Sequence, residues 1–567
     1  MQPRAGTMRL SAALVSAALL SIVSGCAMSG DPADEEDLGD IGDGKSDSFG
    51  VVDKAFTVAA GHSRRFTFTA SAAFHIAVTQ PDTPDADRSE LTLSLKKPDD
   101  TKVTADAAKE PTLVVDEGGD GPFTLTVKNV GERSVSGVLN VRPLGGFGDL
   151  PNPNAAVFPE VSWQPPALDQ WPATYVIFNN TGCGHDCTQA DSTALAPRSV
   201  MIKMLVTAIH GVKQGGIVRV SNFNISSSAS AKPVVDALRF AMTERGATVK
   251  IVMDEGQNNP TSMTTQLLSE GAQVRFLNGL TFTNSVGPAV GIMHSKIVAV
   301  DDQVVLTGSN NFSSTGLIIN EENSVVLHAP ENSDRIASFV CDIDTMFQIG
   351  VPAGQMQKTD DERRDAILAL DSCNGPDVFF PPTGTLATGT SITQTEVTRA
   401  ISGATKSIAI APDMMAHPGL VSAIISRAKK AKAAGQAFSV RLVLDASPEA
   451  LGNPAFGECL TDAAKDFGLD IEIRYWPGTP EAFQLMHHKF MLIDAADPAK
   501  ATLYNGSANY SSKALKESFE NVTRYSVAQY RGIVDAFSAR FDQMFAQGKD
   551  KAKLAAEDHI TAPACSL

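Results

Sequence analysis

One polar motif occurs twice in the chain, and its residue types suit reactions at phosphorus. Each copy has a His, a Lys two positions later and an Asp five positions after the Lys, followed by Gly-Ser-x-Asn and a Glu. The two copies comprise His294, Lys296, Asp301, Asn311 and Glu322, and His487, Lys489, Asp494, Asn509 and Glu520. The Gly of Gly-Ser-x-Asn precedes the Glu by fourteen positions in both copies. Two complete copies with this matching offset indicate that the chain contains two related halves.

The spacing within each copy determines which side chains share a face. Residues two apart in a strand project to the same side, as His and Lys do here, and as Ser and Asn of Gly-Ser-x-Asn do. Asp301 and Asp494 have the opposite parity and lie where each strand should end, so we expect them to fix a turn or an inter-strand contact. If a two-fold axis relates the halves, two His, two Lys and two Asn line one locally cationic pocket with no acidic metal ligands at its centre.

Such a pocket is suited to a tetrahedral phosphate. Lys and Asn side chains donate hydrogen bonds to its oxygens, while the two imidazoles stand on opposite sides of phosphorus. One imidazole attacks phosphorus, and the other protonates the leaving alkoxide and later activates water. Glu322 and Glu520 are the expected carboxylates that orient the rings. The two copies are too similar for their sequences to show which imidazole attacks.

The duplicated His-x-Lys-x4-Asp motif followed by Gly-Ser-x-Asn resembles the signature of the phospholipase D superfamily, over about residues 155 to 550. The resemblance implies that His294 is the nucleophile and His487 the general acid/base. It also implies that the reaction needs no metal or organic cofactor. By the same resemblance the phosphate ligands are Lys296, Asn311, Lys489 and Asn509. The catalytic set is completed by Glu322, Glu520, Asp301 and Asp494.

Composition and charge limit the substrates that such a site can take. The chain has 567 residues, 43% of them apolar and 20% charged, which excludes fibrous, collagen-like and wholly disordered proteins. Its formal net charge is -17, whereas a protein that binds long nucleic acids needs a cationic surface. Nucleic acid is therefore disfavoured as a partner. A phospholipid, which carries one phosphodiester, remains compatible with a locally basic pocket.

Periodic patterns predict several domains. Short alternating runs between residues 51 and 147 predict an accessory β-sandwich. The strand and helix patterns that follow predict an α/β architecture, with mixed β-sheets flanked by helices. We place two pseudo-symmetric phospholipase D-like halves at residues 155–350 and 380–550, together forming one catalytic unit. We expect a monomer, because the pseudo-two-fold axis is internal.

The N-terminal region has the pattern of an export signal. Arginines precede a short apolar run, and residues 1–25 end in a sequence that resembles the lipobox of bacterial lipoproteins, followed by Cys26. This predicts lipidation of Cys26 and a lipid-anchored protein at the outer membrane, on its periplasmic face or at the cell surface. The alternative is a soluble export signal with a coincidental Cys. Residues 26–50 are acidic and almost without apolar residues, which predicts a disordered tether.

Six further cysteines remain, an even number that suggests disulfides in an exported protein. Sequence alone does not choose among the possible pairings, but chain order suggests Cys183–Cys187, Cys341–Cys373 and Cys459–Cys565. His185 lies between the first pair, so a metal site is an alternative there. A small disulfide loop is favoured because no second cluster of ligands lies nearby in sequence.

These features lead to one predicted function and two alternatives. The predicted protein is a phospholipase D-like phosphodiesterase that hydrolyses a glycerophospholipid to phosphatidate and a headgroup alcohol. The phosphohistidine intermediate would also allow transfer to another alcohol. The apolar segment from Leu280 to Gly291 either contacts the substrate or packs in the interior. The alternatives are a metal-independent nuclease of the same superfamily and a non-catalytic surface-binding lipoprotein.

Overall fold

The computed structural model describes most of the chain between residues 35 and 557. The described residues are 35–40, 52–70, 74–80, 89–109, 111–115, 119–143, 168, 171–179, 195–258, 262–284, 287–446, 456–476, 485–495, 497, 499–557 and 565. The predicted signal peptide and Cys26 lie outside these residues, as do Cys183, His185 and Cys187. No helix in the described part of the chain is long and apolar enough to cross a membrane.

The N-terminal part is the β-sandwich that the alternating pattern predicted. Its strands are β1 (Glu35–Asp40), β2 (Val52–Val58), β3 (Ser63–Ala70), β4 (Phe74–Thr79), β5 (Leu91–Lys96), β6 (Lys102–Ala108), β7 (Thr112–Val115), β8 (Gly119–Asn129) and β9 (Val135–Pro143). One sheet has the order β1-β3-β8-β5-β6 and the other the order β2-β9-β4-β7. Alternate residues such as Phe66 and Phe68 are buried in a core that both sheets share.

Strand β1 lies within residues 26–50, where the sequence predicted a disordered tether; the other residues of that range are outside the described part of the chain, and the tether stays a prediction. Glu35–Asp40 pairs in parallel with β3 and forms the edge of its sheet. Strand pairing depends on backbone hydrogen bonds, and an edge strand tolerates charged side chains because one of its sides faces no other strand. An acidic composition therefore did not prevent this segment from extending the sheet.

The first half is a mixed eight-stranded sheet with the order β10-β17-β16-β15-β11-β12-β13-β14. Its strands are β10 (Thr174–Phe178), β11 (Ile217–Asn222), β12 (Thr248–Asp254), β13 (Gln273–Asn284), β14 (Gly287–Ile292), β15 (Ile297–Val300), β16 (Val304–Gly308) and β17 (Asn323–His328). Its α-helices are α1 (Val200–His210), α2 (Lys232–Thr243), α3 (Met263–Ser269) and α4 (Ser333–Ile349). Short 3₁₀ helices lie at Ala196–Arg198 and Glu255–Gln257, and a short π-helix lies at Thr315–Ile319. One face of the sheet packs on α1 and α2 and the other on α4.

The second half repeats this arrangement as a seven-stranded sheet with the order β18-β26-β24-β23-β19-β21-β22. Its strands are β18 (Val378–Phe379), β19 (Ser407–Pro412), β20 (Met415–Ala416), β21 (Ser439–Asp445), β22 (Ile471–Trp476), β23 (Lys489–Ile493), β24 (Thr502–Gly506), β25 (Tyr510–Ser511) and β26 (Val522–Ser526), where β20 and β25 form a separate pair. Its helices, with those of the connecting segment, are α5 (Arg364–Ala369), Leu370–Cys373, α6 (Thr385–Thr388), α7 (Ile392–Gly403), α8 (Pro418–Ala433), α9 (Phe456–Phe467), α10 (Ser512–Lys516), α11 (Val527–Gln547) and α12 (Lys551–Glu557). Strands β15 and β23 occupy equivalent places, each antiparallel to β11 or β19.

The two halves are joined by a common apolar core and by backbone hydrogen bonds. Met293 and Phe339 of the first half share a buried cluster with Phe490 and Phe519 of the second. The backbones of the two halves approach so closely at Gly291 that a Cβ there would lie 2.1 Å from the carbonyl oxygen of Glu517. Only glycine fits at that point, and the seam between the halves is closed.

Two of the suggested disulfides are present. Cys341 pairs with Cys373 and Cys459 pairs with Cys565. The first ties α4 to the turn that follows α5, and the second ties the C-terminal end of the chain to α9. The third pair stays a prediction, because Cys183 and Cys187 are outside the described residues.

Candidate active site

The backbone N–H of each motif His donates a hydrogen bond to a carbonyl of the opposite half. The N–H of His294, just before β15, donates to the carbonyl of Phe519 at 2.8 Å. The N–H of His487, just before β23, donates to the carbonyl of Glu321 at 2.9 Å. Phe519 and Glu321 are the residues that precede the two motif glutamates. The seam therefore brings each His beside the Glu of the other motif.

The side chains make the same crossed arrangement. Nδ1 of His294 lies 2.8 Å from Oε1 of Glu520, and Nδ1 of His487 lies 2.7 Å from Oε1 of Glu322. The duplication predicted these carboxylates as the ring partners, and the structure shows that each pair is made across the halves. With Nδ1 facing a carboxylate, Nε2 is the nitrogen left for the substrate in both rings. The four side chains are almost completely buried.

The motif lysines share the face of their histidines. Nζ of Lys296 donates to the carbonyl of His294 at 2.6 Å, and Nζ of Lys489 donates to that of His487 at 2.8 Å. An ammonium has three N–H donors, so this bond fixes the head and leaves donors for phosphate oxygens. Burial lowers the pKa of Lys296 to about 7, although the nearby Glu520 opposes the shift.

The Gly-Ser-x-Asn units place a serine and an asparagine in different roles. Oγ of Ser309 accepts the N–H of Asn323, and Oγ of Ser507 accepts the N–H of Asn521, so the serines lock the turn beside each Glu. The motif asparagines are half-buried, and within the described residues their Oδ1 atoms have no hydrogen-bond partner. These amides are Asn311 and Asn509, the two that the sequence predicted as phosphate ligands.

Asp301 and Asp494 lie at the opposite ends of their strands from the histidines. Asp301 accepts the backbone N–H groups of Lys213 and Ile217 at 2.6 and 2.7 Å. Asp494 accepts the N–H groups of residues 405 to 407. Both have positive φ, 49° and 53°, as expected in a turn. They hold the loops before β11 and β19, the role that their parity predicted, whereas their inclusion in the catalytic set stays a prediction.

Two further acids position the motifs and were missed by sequence analysis. Oδ2 of Asp254 accepts the N–H of Met293 at 2.9 Å, and Oδ2 of Asp445 accepts the N–H of Met486. They end the equivalent strands β12 and β21. The signal available in the sequence was an Asp that ends an apolar strand in both halves, about 40 residues before each His. Burial raises the pKa of Asp254 to about 6.

The pocket also contains an acid that the sequence did not predict. Asp413, which follows β19, places Oδ2 3.0 Å from Nζ of Lys489 and 3.7 Å from Nε2 of His487. Burial would raise the pKa of Asp413, but Lys489 and His487 outweigh it and the pKa is lowered. The equivalent residue after β11 is Phe223, so no duplicated motif marks this position.

Electrostatics favour the neutral form of the His294 imidazole. Burial lowers the pKa of His294 well below its usual value, and the charges of Lys296, Lys489 and His487 lower it further. A neutral imidazole is the form that can attack phosphorus. Burial raises the pKa of its partner Glu520 to about 7.

Within the described residues, no group of three His, Cys, Asp or Glu side chains is placed to hold a metal ion.

The site lies within a segment that matches a known family. The protein-family model described as "Cardiolipin synthase, PLD-like domain" matches residues 214–341 and 397–545, one segment in each half. No curated protein sequence matches the chain significantly.

Solved structures from several bacteria match parts of the chain. Phosphatidylserine synthase from Haemophilus influenzae is 11% identical, with a TM-score of 0.46, over 67% of this chain and 90% of that one. Polyphosphate kinase from Porphyromonas gingivalis is 13% identical, with a TM-score of 0.37, over 66% and 53%. The phospholipase D family member Nuc from Salmonella typhimurium is 22% identical, with a TM-score of 0.22, over 31% and 95%.

Proposed function

Because the chain belongs to the phospholipase D superfamily of phosphodiesterases and transferases, we propose that it hydrolyses a glycerophospholipid to phosphatidate and the headgroup alcohol. The observation that carries the proposal is the crossed pairing of His294 with Glu520 and of His487 with Glu322. It directs two Nε2 atoms from different halves toward one pocket that also contains Lys296 and Lys489. A phosphodiester fits such a pocket because cationic donors and two proton-transfer groups surround one site.

The mechanism that we propose has two displacements at phosphorus. Nε2 of His294 forms a bond to phosphorus while the bond to the headgroup oxygen breaks, and Nε2–H of His487 gives its proton to that oxygen. In the second displacement, His487 takes a proton from water, and the water oxygen bonds to phosphorus. The nitrogen–phosphorus bond then breaks and its electron pair returns to His294. Lys296 and Lys489 neutralise the phosphate oxygens throughout.

Two features support a lipid as the substrate. The formal net charge of -17 disfavours the long polyanions that a nuclease would bind. The segment from Leu280 to Gly291 forms parts of β13 and β14 directly before His294, and while Leu280 is buried, Val290 is 38% exposed. We propose that the exposed residues of this hairpin contact the lipid, while its buried residues pack in the interior.

The location of the protein is also part of the proposal. The lipobox-like sequence before Cys26 predicts that this residue is lipidated. The lipid would anchor the chain in the outer membrane, which contains phospholipid. Metabolic labelling with a radioactive fatty acid tests this: the wild-type protein should be labelled and Cys26→Ser should not. Equal labelling of both proteins, or of neither, would show that Cys26 is not the anchor.

A comparison of substrates tests the activity. The purified protein in detergent is incubated in EDTA with phosphatidylcholine or phosphatidylethanolamine micelles and, separately, with single- and double-stranded DNA. We expect release of choline or ethanolamine together with phosphatidate, and with added ethanol a phosphatidylethanol product. DNA cleavage without headgroup release would favour the nuclease. If His294→Ala and the wild-type protein behave alike on every substrate, a non-catalytic binding protein is favoured.

A further inference from the structure

One of the positions at which the two halves differ lies beside the imidazoles: it is Asp413 in the second half and Phe223 in the first. Oδ2 of Asp413 approaches Nε2 of His487 and Nζ of Lys489 in the second half. At the equivalent position in the first half, the ring of Phe223 packs edge to face on the ring of His294, with centroids 5.2 Å apart. Nζ of Lys296 lies 5.8 Å from the centroid of Phe223. A carboxylate therefore lies beside His487 where an aromatic ring lies beside His294.

This difference separates the chemistry of the two imidazoles. A carboxylate near Nε2 of His487 favours an N–H over a lone pair at that atom, because the negative oxygen attracts the positive end of the N–H dipole. The same carboxylate repels the phosphate oxygens that would have to approach if His487 attacked phosphorus. The Phe223 ring offers His294 neither a charge nor a proton acceptor. A protonated ring and a neutral ring are what the first displacement needs at the same time.

We propose that Asp413 assigns the roles of the two histidines: it favours an N–H at Nε2 of His487, which makes that ring the proton donor and leaves His294 as the nucleophile. Asp413 acts through His487 and is a positioning residue. The inference rests on the proposed phosphodiesterase activity and adds to it a reason why one of two near-equivalent motifs attacks. In the first displacement the proton moves from Nε2 of His487 to the leaving oxygen, while the electron pair of His294 forms the new bond to phosphorus.

The dependence of the rate on the leaving group tests this role. Asp413→Asn keeps the size of the side chain and removes its charge. The two substrates are phosphatidylcholine, whose alkoxide needs a proton, and phosphatidyl-p-nitrophenol, whose nitrophenolate leaves without one. We expect Asp413→Asn to lower kcat/KM for phosphatidylcholine by about 10²-fold and to change that for the nitrophenyl ester little. Asp413→Glu, which keeps the charge, should restore part of the loss.

Phe223→Leu is the matched control, because it changes the equivalent position beside the other imidazole. It should lower both rates by a similar factor, since His294 attacks both substrates. An equal loss on both substrates in Asp413→Asn would overturn the proposal. A protein that cleaves neither ester even as wild type would instead contradict the proposed function.

The position of the covalent label provides a second measurement that does not depend on the variants folding. Wild-type protein is quenched rapidly in base during turnover of a phosphorus-labelled ester, and the labelled peptide is identified by mass spectrometry. The label is expected on His294. A label on His487 would overturn the role of Asp413 while leaving the phosphodiesterase activity intact.

Discussion

Nδ1 of His294 lies 2.8 Å from Oε1 of Glu520, although 226 residues separate them and they belong to different halves. The reciprocal contact joins His487 to Glu322. Each imidazole therefore depends on a carboxylate from the other motif. Neither half contains a complete His–Glu pair, so the duplication produces one site and not two.

Glu520→Gln tests the crossed pairing. The substitution removes the charge that orients His294 and keeps the shape of the side chain. We expect kcat/KM for the phospholipid to fall about 10²- to 10³-fold, with an unchanged circular dichroism spectrum. Glu322→Gln should cause a similar loss through His487. A loss smaller than about tenfold in both variants would contradict a catalytic role for the pairs.

Loss of the second imidazole should trap the intermediate. In His487→Asn, an ester with a good leaving group can still form the phosphohistidine, because nitrophenolate needs no acid, but the base for water attack is missing. We expect phosphorus label to accumulate on the protein and to be stable to base and labile to acid. His294→Asn is the control and should carry no label. Equal labelling of both variants would contradict the double displacement.

The pH dependence follows from two buried groups. Burial lowers the pKa of Lys296 to about 7, so its positive charge is lost as the pH rises through that value. Burial raises the pKa of Glu520 to about 7, so its negative charge is lost as the pH falls. We therefore expect kcat/KM to be maximal near neutral pH and to fall on both sides, with apparent values that belong to the interacting pair.

Lys296→Arg separates the two limbs of this profile. Arginine stays protonated throughout the accessible pH range. The alkaline limb of kcat/KM should therefore move to higher pH, while the acid limb, which reports Glu520, stays in place. An alkaline limb that does not move in an active Lys296→Arg protein would show that another group is responsible.

Asp494→Ala should affect stability more than chemistry. The Asp494 carboxylate accepts three backbone N–H groups of the loop before β19, and its φ of 53° disfavours alanine. We expect unfolding to be easier by about 1–3 kcal/mol, seen as a lower Tm, while the folded fraction keeps its KM. Asp494→Asn, which tolerates this φ, should lose less. A normal Tm with abolished activity would instead place Asp494 in the catalytic set.

The sequence was informative where the chemistry is repeated. The two motifs, the opposite parity of Asp301 and two disulfides could be read from residue types, spacing and order. The crossing of the Glu pairs could not, because local spacing carries no information about which half supplies a partner. The place of Asp413 in the site could not be predicted for a related reason. Its equivalent is Phe223, and a repeated motif gives no signal at positions where the two copies differ. The edge strand Glu35–Asp40 was missed because its pairing uses the backbone.

The closed seam at Gly291 restricts how turnover can proceed. Backbone hydrogen bonds cross it on both sides of the pocket, at Phe519 and at Glu321, and a shared apolar core lies behind them. Hinged separation of the halves would break both imidazole contacts at once and expose that core to water. Turnover must therefore proceed while the two halves remain docked, and a substrate has to reach both imidazoles without their separation.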